Sequence, residues 1–467
     1  MDTRLASRLR ALRKRNVQGV VLLVALLAGG LGYAAMRGTD AGNILYYVDC
    51  AASANDANDG TSPDKPWRTL TKASQSSLAP GASLLLKRGC TFADQLRITQ
   101  SGTADKPVYI TSYGNGVLPI ISPNGEGADI SLAGSYITVS DVDLRSSLGR
   151  ADTSSNRCHG TPIGHTVGLL IEPNASHNTI HDSKMSGHYA GVYIEDNAHD
   201  NRVVRNDISD NARMEPLSTD NGNDDAGAFG VLLWGNHNEI AYNTIQNNSS
   251  CSYDYVTDGA AVEVYNGSFN TIHHNRGHNN NAFTELGKDP GHASSDNSYS
   301  YNVVTSARTT SAFLVTRGSG SDVGPVLRTV AYNNTVFLDA QSDRNSGNQG
   351  ILCERGCGPD ILTARNNIIW ASWRSINADA PFNEGNNIYW RSGGQPEMGG
   401  FTPSSSSKQV DPRFLDAANG NLHLDAGSPA IDQGASESVA KGFVLDFENR
   451  TVPNGSIPDI GAYESHQ

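Results

Sequence analysis

The chain has 467 residues, of which 18% are charged and 37% are hydrophobic, and its formal net charge is −13. Its 48 glycines and many Asn, Ser and Thr residues favour turns over helices, so the composition predicts a mostly β protein built from short strands. The acidic balance excludes nucleic acid as a natural partner, because phosphate backbones are bound by Lys and Arg. It also disfavours a polyanionic glycan unless a divalent cation or a local basic groove intervenes.

The N-terminus predicts export. Residues 1–16 contain six basic side chains and one acid, which leaves a net charge of −18 on the rest of the chain. Residues 17–36 form an apolar run of 20 residues, long enough to cross a hydrocarbon core of about 30 Å. Basic residues before such a run hold the N-terminus in the cytoplasm and send the remainder across the membrane.

We therefore predict a basic cytoplasmic segment at 1–16, a membrane segment at 17–36 and a linker at 37–45. The length of the apolar run favours an uncleaved signal anchor, whereas Gly32-Tyr33-Ala34 at its end fits a cleavable signal peptide. Either alternative places the body on the extracytoplasmic side, membrane-anchored or secreted. Six cysteines fit that oxidising compartment. The candidate pairs, among the 15 connectivities that six cysteines allow, are Cys353–Cys357, Cys50–Cys90 and Cys158–Cys251.

A repeat occupies the middle of the chain. Its copies are short apolar strands with one or two asparagines, starting at residues 178, 201, 238, 270, 297, 328 and 362, with an Asn-poor copy at 135. Further apolar strands precede these copies, starting at Gly168, Gly191, Gly230, Ala261, Ala312 and Gly350. The spacing between copies ranges from 23 to 37 residues, and periods of this length are typical of solenoids. The shortest spacing fits one coil of a three-sided β-helix, so the surplus residues elsewhere form loops.

Stacked coils place equivalent residues about 4.8 Å apart, in columns. One predicted column is apolar and points inward: Val203, Ile240, Ile272, Tyr299 and Val330. A second is a hydrogen-bonded asparagine ladder, consisting of Asn206, Asn243, Asn275, Asn302, Asn333 and Asn366. A third is an exterior stack of flat groups: Arg205, Tyr242, His274, Tyr301, Tyr332 and Arg365. Membership of this column gives His274 a structural role.

At both ends the sequence resembles known β-helix proteins. Residues 46–70, YYVDCAASANDANDGTSPDKPWRTL, resemble a common opening, and DPRF, SPAIDQG and PDIGAYE within 411–464 resemble a common tail. With the repeat, these motifs resemble the pectate-lyase-like superfamily, which includes polysaccharide lyases, epimerases and glycoside hydrolases. The resemblance implies an all-β, single-stranded right-handed parallel β-helix over 46–410, a closing segment over 411–467 and carbohydrate as the substrate.

The surplus residues predict a groove. They fall at 211–226, 248–260, 286–296 and 340–349, mostly in the connection just before the Gly-Val-type strand. Long loops on one edge of a rigid stack form walls, and the outward face of that strand forms the floor. In Ala261–Tyr265 the two valines point inward, so Glu263 and Tyr265 point outward.

Glu285 follows Glu263 by almost one coil. It faces the core if Phe283 does, and the groove if Ala282, Thr284 and Leu286 face inward; the cost of burying a lone carboxylate favours the groove. We therefore predict Glu263 and Glu285 as a catalytic carboxyl pair, in roles the sequence does not order. The same face is predicted to bind substrate through Tyr193, Glu195, Trp234, Tyr265 and Arg317. The alternative is that these are solvated residues of an acidic protein.

The resulting hypothesis is glycosidic-bond hydrolysis in a polysaccharide, with no cofactor required. A calcium site is an option in a cluster of aspartates, namely Asp220, Asp224, Asp225, Asp254 and Asp258. No histidine spacing predicts zinc, so surface or stacking roles are expected for His181, His188, His273 and His278. A second hypothesis is β-elimination or C5-epimerisation of a uronate polymer, served by Tyr265, His278 or Arg317, although Lys288 and Arg317 are out of register with lyase relatives. A third is a non-catalytic glycan-binding or envelope-scaffolding solenoid.

Overall fold

The structure, a computed structural model, describes residues 44–147, 149–219, 222–342, 347–437 and 442–465. The predicted cytoplasmic and membrane segments, at 1–16 and 17–36, lie outside these ranges. None of the helices in the described ranges is long and apolar enough to cross a membrane.

The described chain winds through three parallel sheets, here called sheets 1, 2 and 3. Sheet 1 consists of Leu45–Val48, Ser83–Lys87, Val108–Tyr113, Ile137–Ser140, Thr179–His181, Arg202–Val204, Glu239–Ala241, Thr271–His273, Ser298–Ser300, Thr329–Tyr332, Leu362–Arg365 and Asn383–Gly385. Sheet 2 consists of Thr91–Phe92, Ile120–Ile121, Asp143–Arg145, Lys184–Ser186, Asp207–Ser209, Thr244–Gln246, Arg276–His278, Val303–Thr305, Thr335–Leu338, Ile368–Ala371 and Ile388–Trp390. Sheet 3 consists of Leu96–Ile98, Gly127–Leu132, Thr166–Ile171, Ala190–Ile194, Phe229–Leu233, Ala260–Tyr265, Ala282–Gly287, Ala312–Arg317, Gln349–Glu354 and Arg374–Ala378.

Each turn of the chain, here called a rung, passes from sheet 3 to sheet 1 to sheet 2. Every strand pairs in parallel with its equivalent on the next rung, as when Val203 lies against Ile240 and Ile240 against Ile272. Inward residues of all three sheets are fully buried in one continuous apolar core. The predicted all-β parallel β-helix is therefore confirmed.

The asparagine ladder is confirmed in its first four members and wrong in its last two. The Nδ2 of Asn275 donates to Oδ1 of Asn302 at 3.1 Å, and the ladder then continues through Asn334, Asn367 and Asn387. Asn333 and Asn366 lie one residue earlier, in left-handed turns with φ of 51° and 58°. The cause is the starting point of the copy at 328: Ser298 pairs with Val330, so Thr329 and not Arg328 is the equivalent of Asn297, and Leu362 is in turn the equivalent of Thr329.

The same one-residue change of alignment corrects the other two columns. Tyr299 pairs with Ala331, so Ala331 and not Val330 continues the inward apolar column. Tyr332 and Arg365 likewise drop out of the column of flat groups, where Asn333 and Asn366 take the left-handed turn position.

His274 has the structural role predicted for it. Its ring lies between those of Tyr242 and Tyr301, with centroids 4.8 and 5.5 Å away. Its Nε2 donates to the backbone oxygen of Asp446 at 2.8 Å, under the C-terminal segment. Burial lowers the pKa of His274 to about 4, so the ring is neutral.

Both ends of the solenoid are covered. At the N-terminal end the short helix Leu70–Ser74 contributes Leu70 and Ala73 to the core, and Trp67 packs beneath Tyr46 at a centroid distance of 4.8 Å. The C-terminal segment packs along the outside of sheet 2, where Leu422 and Tyr463 cover Val303. This segment contains the strands Phe414–Asp416 and Asn421–Leu424 and the 3₁₀ helix Ala417–Asn419.

All three candidate disulfides are present: Cys50–Cys90, Cys158–Cys251 and Cys353–Cys357. The second joins the loop before Thr166–Ile171 to a small antiparallel hairpin, Ser250–Ser252 and Val256–Asp258. The hairpin immediately precedes the sheet 3 strand that carries Glu263, so it forms part of the wall beside that residue.

Candidate functional site

Glu263 and Glu285 lie side by side on the outer face of sheet 3. They are register partners on adjacent rungs, so their backbones are about 4.8 Å apart. Val262 and Val264 on either side of Glu263 are fully buried, which directs the glutamate outward.

Glu285 also lies on this outer face, although inward and outward side chains do not alternate strictly along its strand. Phe283 and Thr284 are both buried, so two consecutive side chains point inward, and Ala282 lies on the outer face instead. The ladder steps over one residue here, pairing Ala260 with Ala282 and Val262 with Thr284. The expectation that Ala282 faces inward is therefore wrong, whereas Glu285 does face the groove.

Arg317, from the following rung, holds Glu285 in place. Its Nη2 donates to Oε1 of Glu285, and its Nη1 donates to the backbone oxygen of Leu286 at 3.0 Å. The side chains of Arg317 and Glu285 are only 26% and 27% exposed, so the ion pair is partly shielded from water. The guanidinium both neutralises and orients this carboxylate.

Glu263 has the opposite environment. Burial raises its pKa well above the ordinary glutamate value, the neighbouring carboxyl groups of Glu285 and Asp258 raise it further, and Arg317 only partly offsets them. These surroundings therefore favour the protonated form of Glu263. Two carboxyl groups with such different surroundings are suited to act as a proton donor and an anionic partner.

Asp258 is a third carboxyl group at this place. It ends the hairpin before Ala260, and its Oδ1 accepts a hydrogen bond from the Gly259 backbone N–H at 2.7 Å. Burial and the charge of Glu285 raise the pKa of Asp258 to about 8. From the sequence, Asp258 was predicted only as a calcium ligand. The hairpin that brings Asp258 close to Glu263 is not part of the repeat, so no periodic pattern predicts this position.

Aromatic rings extend from the carboxyl pair along the same face. The Trp234 ring lies 6.1 Å from that of Tyr193 and 5.8 Å from that of Tyr265. Tyr265 donates from its hydroxyl to Oδ1 of Asp289 at 3.1 Å, and burial together with Asp289 raises the pKa of Tyr265 to about 12. Glu195 lies on the rung before Trp234, where burial and Glu172 raise its pKa.

The floor beside the carboxyl groups is small and apolar. Ala260 and Ala282 pack with Tyr189, Phe229 and Leu232 in a cluster outside the main core. Ala260 and Ala282, in register on adjacent rungs, place only small side chains next to Glu263 and Glu285. Tyr189 lies near Glu263 and Tyr255 near Glu285, and no sequence pattern predicted either tyrosine.

The predicted calcium ligands do not all come together. Asp224, Asp225 and Asp254 form one cluster, Asp258 lies apart from it, and Asp220 is outside the described residues. The Asp225 carboxylate accepts hydrogen bonds from the backbone N–H groups of Ser218 and Tyr253, at 2.7 and 2.6 Å. The Asp225 carboxylate oxygens are therefore already engaged in hydrogen bonds within the loop.

The side chains named for elimination are not free on this face. His278 lies on sheet 2 and its Nδ1 is hydrogen-bonded to Thr305 at 2.8 Å. Lys288 donates to the backbone oxygen of Asp289 at 3.3 Å. Arg317 is paired with Glu285, as described above.

No protein-family model matches the chain. Among curated proteins, a lacto-N-biosidase from Bifidobacterium longum subsp. longum is 37% identical over 127 residues, a match covering 25% of this chain and only 8% of that protein. Among solved structures, pectate lyase Pel9A is similar with a TM-score of 0.56 and 17% identity, covering 90% of this chain and 96% of that one. The GH136 lacto-N-biosidase from Eubacterium ramulus is similar with a TM-score of 0.50 and 14% identity, covering 79% of this chain and 67% of that one. At these identities the structural likenesses show that the β-helix fold is shared.

Proposed function

We propose that this protein hydrolyses glycosidic bonds in a polysaccharide, outside the cytoplasm. The observation that carries the proposal is the unequal carboxyl pair on adjacent rungs, in which Glu285 is paired with Arg317 and the surroundings of Glu263 favour its protonated form. Trp234 and Tyr265 offer the flat apolar surfaces on which sugar rings stack. The partial match to a lacto-N-biosidase supports hydrolysis, and three disulfides support an oxidising compartment.

In the proposed mechanism Glu263 donates its proton to the glycosidic oxygen, and the bond to the anomeric carbon breaks. Glu285 is the register partner of Glu263 on the next rung and is held by Arg317. We therefore assign Glu285 as the nucleophile that forms a glycosyl intermediate, as in retaining enzymes. Glu263, now a carboxylate, takes a proton from the water that releases the sugar. These steps use no cofactor, so we expect a chelator to leave them intact.

Elimination is less well supported. A lyase needs a base at the proton next to the uronate carboxyl and positive charge to neutralise that carboxylate. The two basic side chains nearest the groove, Lys288 and Arg317, are engaged with protein acceptors. The carboxyl groups of Asp258, Glu263 and Glu285 would instead repel a polyuronate whenever they ionise.

The test is a screen of the purified full-length protein against a glycan panel, with new reducing ends as the readout. We expect Glu263→Gln and Glu285→Gln each to lower the turnover rate by about 10²- to 10⁴-fold. Glu354→Gln is the matched control, because Glu354 lies on the same sheet beyond the pair and bonds only Asn377 among the described side chains. An unsaturated, ultraviolet-absorbing product would replace this proposal with elimination. Glycan binding without any product would replace it with a binding role.

A further inference from the structure

We propose that His177, His199 and Asp200 form a binding site for a divalent transition-metal ion, with zinc as the best-matched metal. The three residues lie on two stacked turns between sheets 3 and 1. The Nδ1 atoms of both histidines face the same Asp200 oxygen, Oδ2, at 3.9 Å from His177 and 2.7 Å from His199. One donor atom from each of the three side chains lies within 4.8 Å of the others.

Rung stacking fixes this arrangement in the backbone. Ser176 bridges to His199 in parallel, so His177 lies directly over Asp200 on the next turn. The backbone N–H of His177 donates to the carbonyl of His199 at 3.3 Å, and His199 donates in turn to Ala175 at 3.3 Å. His177 and Asp200 both adopt the left-handed conformation, with φ of 58° and 55°. The donors are therefore brought together by the fold, since His177 and Asp200 immediately precede the repeat copies at 178 and 201 and lie one coil apart.

The donor set matches the chemistry of zinc. Imidazole nitrogen and carboxylate oxygen bind zinc at about 2.0–2.2 Å, and two imidazoles with a carboxylate leave room for a water as the fourth ligand. The side chains of His177, His199 and Asp200 are 38%, 46% and 49% exposed, so an ion can reach them and small rotations can close the ligands around it. Calcium is the poorer match, because it prefers oxygen ligands.

Bound zinc would link two neighbouring rungs. It would replace the hydrogen between His199 and Asp200 and add a bond to His177, so that both turns are tied through one ion. Anything that binds the folded but not the unfolded chain raises its stability. The site is separate from the carboxyl pair, which lies on later rungs, and does not depend on the proposed hydrolysis.

The test is titration of the tag-free full-length protein with zinc alone, followed by calorimetry and by thermal melting. We expect one zinc per chain and a higher melting temperature. His177→Gln and His199→Gln should each weaken zinc binding by about tenfold or more, since even an outer-shell partner is worth about 10- to 100-fold. His292→Gln is the matched control, because His292 is an exposed histidine in the loop after Ala282–Gly287, away from these two turns.

The wild-type and His292→Gln proteins should bind alike, and so should Glu263→Gln, whatever the outcome for glycan cleavage. Equal zinc affinity in wild type and His199→Gln, or no binding at up to about a hundred micromolar zinc, would overturn the site and leave only a histidine–aspartate ion pair. Asp200→Asn keeps a carbonyl oxygen but loses the charge, so intermediate affinity is expected if the carboxylate is a ligand.

Discussion

At the scale of single residues, the proposed chemistry depends on how neighbours distribute protons among three carboxyl groups. Glu285 has a guanidinium beside it, whereas Glu263 and Asp258 have other carboxyl groups and little water. Charge repulsion and burial both favour the protonated forms of the latter two. The same groups should therefore make folding stability depend on pH.

Asp258 gives the clearest prediction of this kind. Its folded-state pKa of about 8 lies above the ordinary value of about 3.9 for aspartate. The stability that its proton contributes is complete below the ordinary value and is lost as pH rises through about 8. We expect Asp258→Asn to gain stability relative to wild type from about pH 4 upward, with the difference levelling above about pH 8. Thermal melts across this range measure it.

Asp64→Asn, at an exposed position in the N-terminal cap, is the matched control for removing one negative charge from an acidic protein. If Asp258→Asn and Asp64→Asn show the same pH profile, the proposed crowding of carboxyl groups at Asp258 is wrong.

At the scale of the strand, large inward side chains on one sheet of the core pack against small ones on another. Where sheet 3 has Gly191 or Gly230, sheet 2 supplies Ile208 or Ile245, whose Cγ2 would lie 2.6 or 2.5 Å from an added Cβ. On the rung of Glu263 sheet 2 has Gly277 instead, and the space is filled by Phe283 of the following rung: an added Cβ on Gly277 would lie 2.6 Å from the Phe283 ring.

This exchange predicts a non-additive pair of mutations. Gly277→Ile alone should destabilise the protein by about 1–3 kcal/mol through overpacking, and Phe283→Gly alone by about 3–5 kcal/mol through a cavity. In the double variant the new isoleucine can fill the space that the phenylalanine ring vacates, so we expect it to be more stable than the sum of the two single changes predicts. Urea denaturation of the four proteins measures the coupling. Strictly additive changes would show that the two positions do not share one space.

Strand patterns revealed the fold, but not every register within it. The repeats with three-residue strands align with one another directly. Their alignment predicted the ladder from Asn206 to Asn302 and the outward direction of Glu263 correctly. The copy at 328 was aligned from Arg328, but Thr329 is the equivalent of Asn297, so the ladder continues at Asn334; no local feature distinguishes Asn333 from Asn334 in the sequence. Asp258 could not be assigned to the site because a hairpin has no repeat to align with. His177 and Asp200 precede the repeat copies at 178 and 201 and are stacked by that 23-residue coil, but no ligand spacing along the chain marked His177 or His199 as metal donors.

At the scale of the whole molecule, the solenoid is stabilised by contacts between neighbouring rungs, and the groove wall depends on links between loops. The hairpin that carries Asp258 is tied to the loop before Thr166–Ile171 by Cys158–Cys251. Tyr253 strengthens the link by donating from its hydroxyl to Oδ2 of Asp152 at 2.5 Å. The wall beside the carboxyl groups therefore depends on residues far apart in sequence.

Removing that link should affect stability and activity together. The Cys158–Cys251 disulfide spans 93 residues, whereas Cys353–Cys357 spans only four. In the chain-entropy account a loop near 100 residues contributes about 4.7 kcal/mol and one of 15 residues about 3 kcal/mol. We expect Cys158→Ala with Cys251→Ala to lower the free energy of unfolding more than Cys353→Ala with Cys357→Ala.

Because the first pair also frees the hairpin holding Asp258, we expect it alone to reduce glycan cleavage. Urea denaturation and turnover measurements on both double variants check this, and a first variant with full activity would show that the hairpin needs no covalent support to shape the groove.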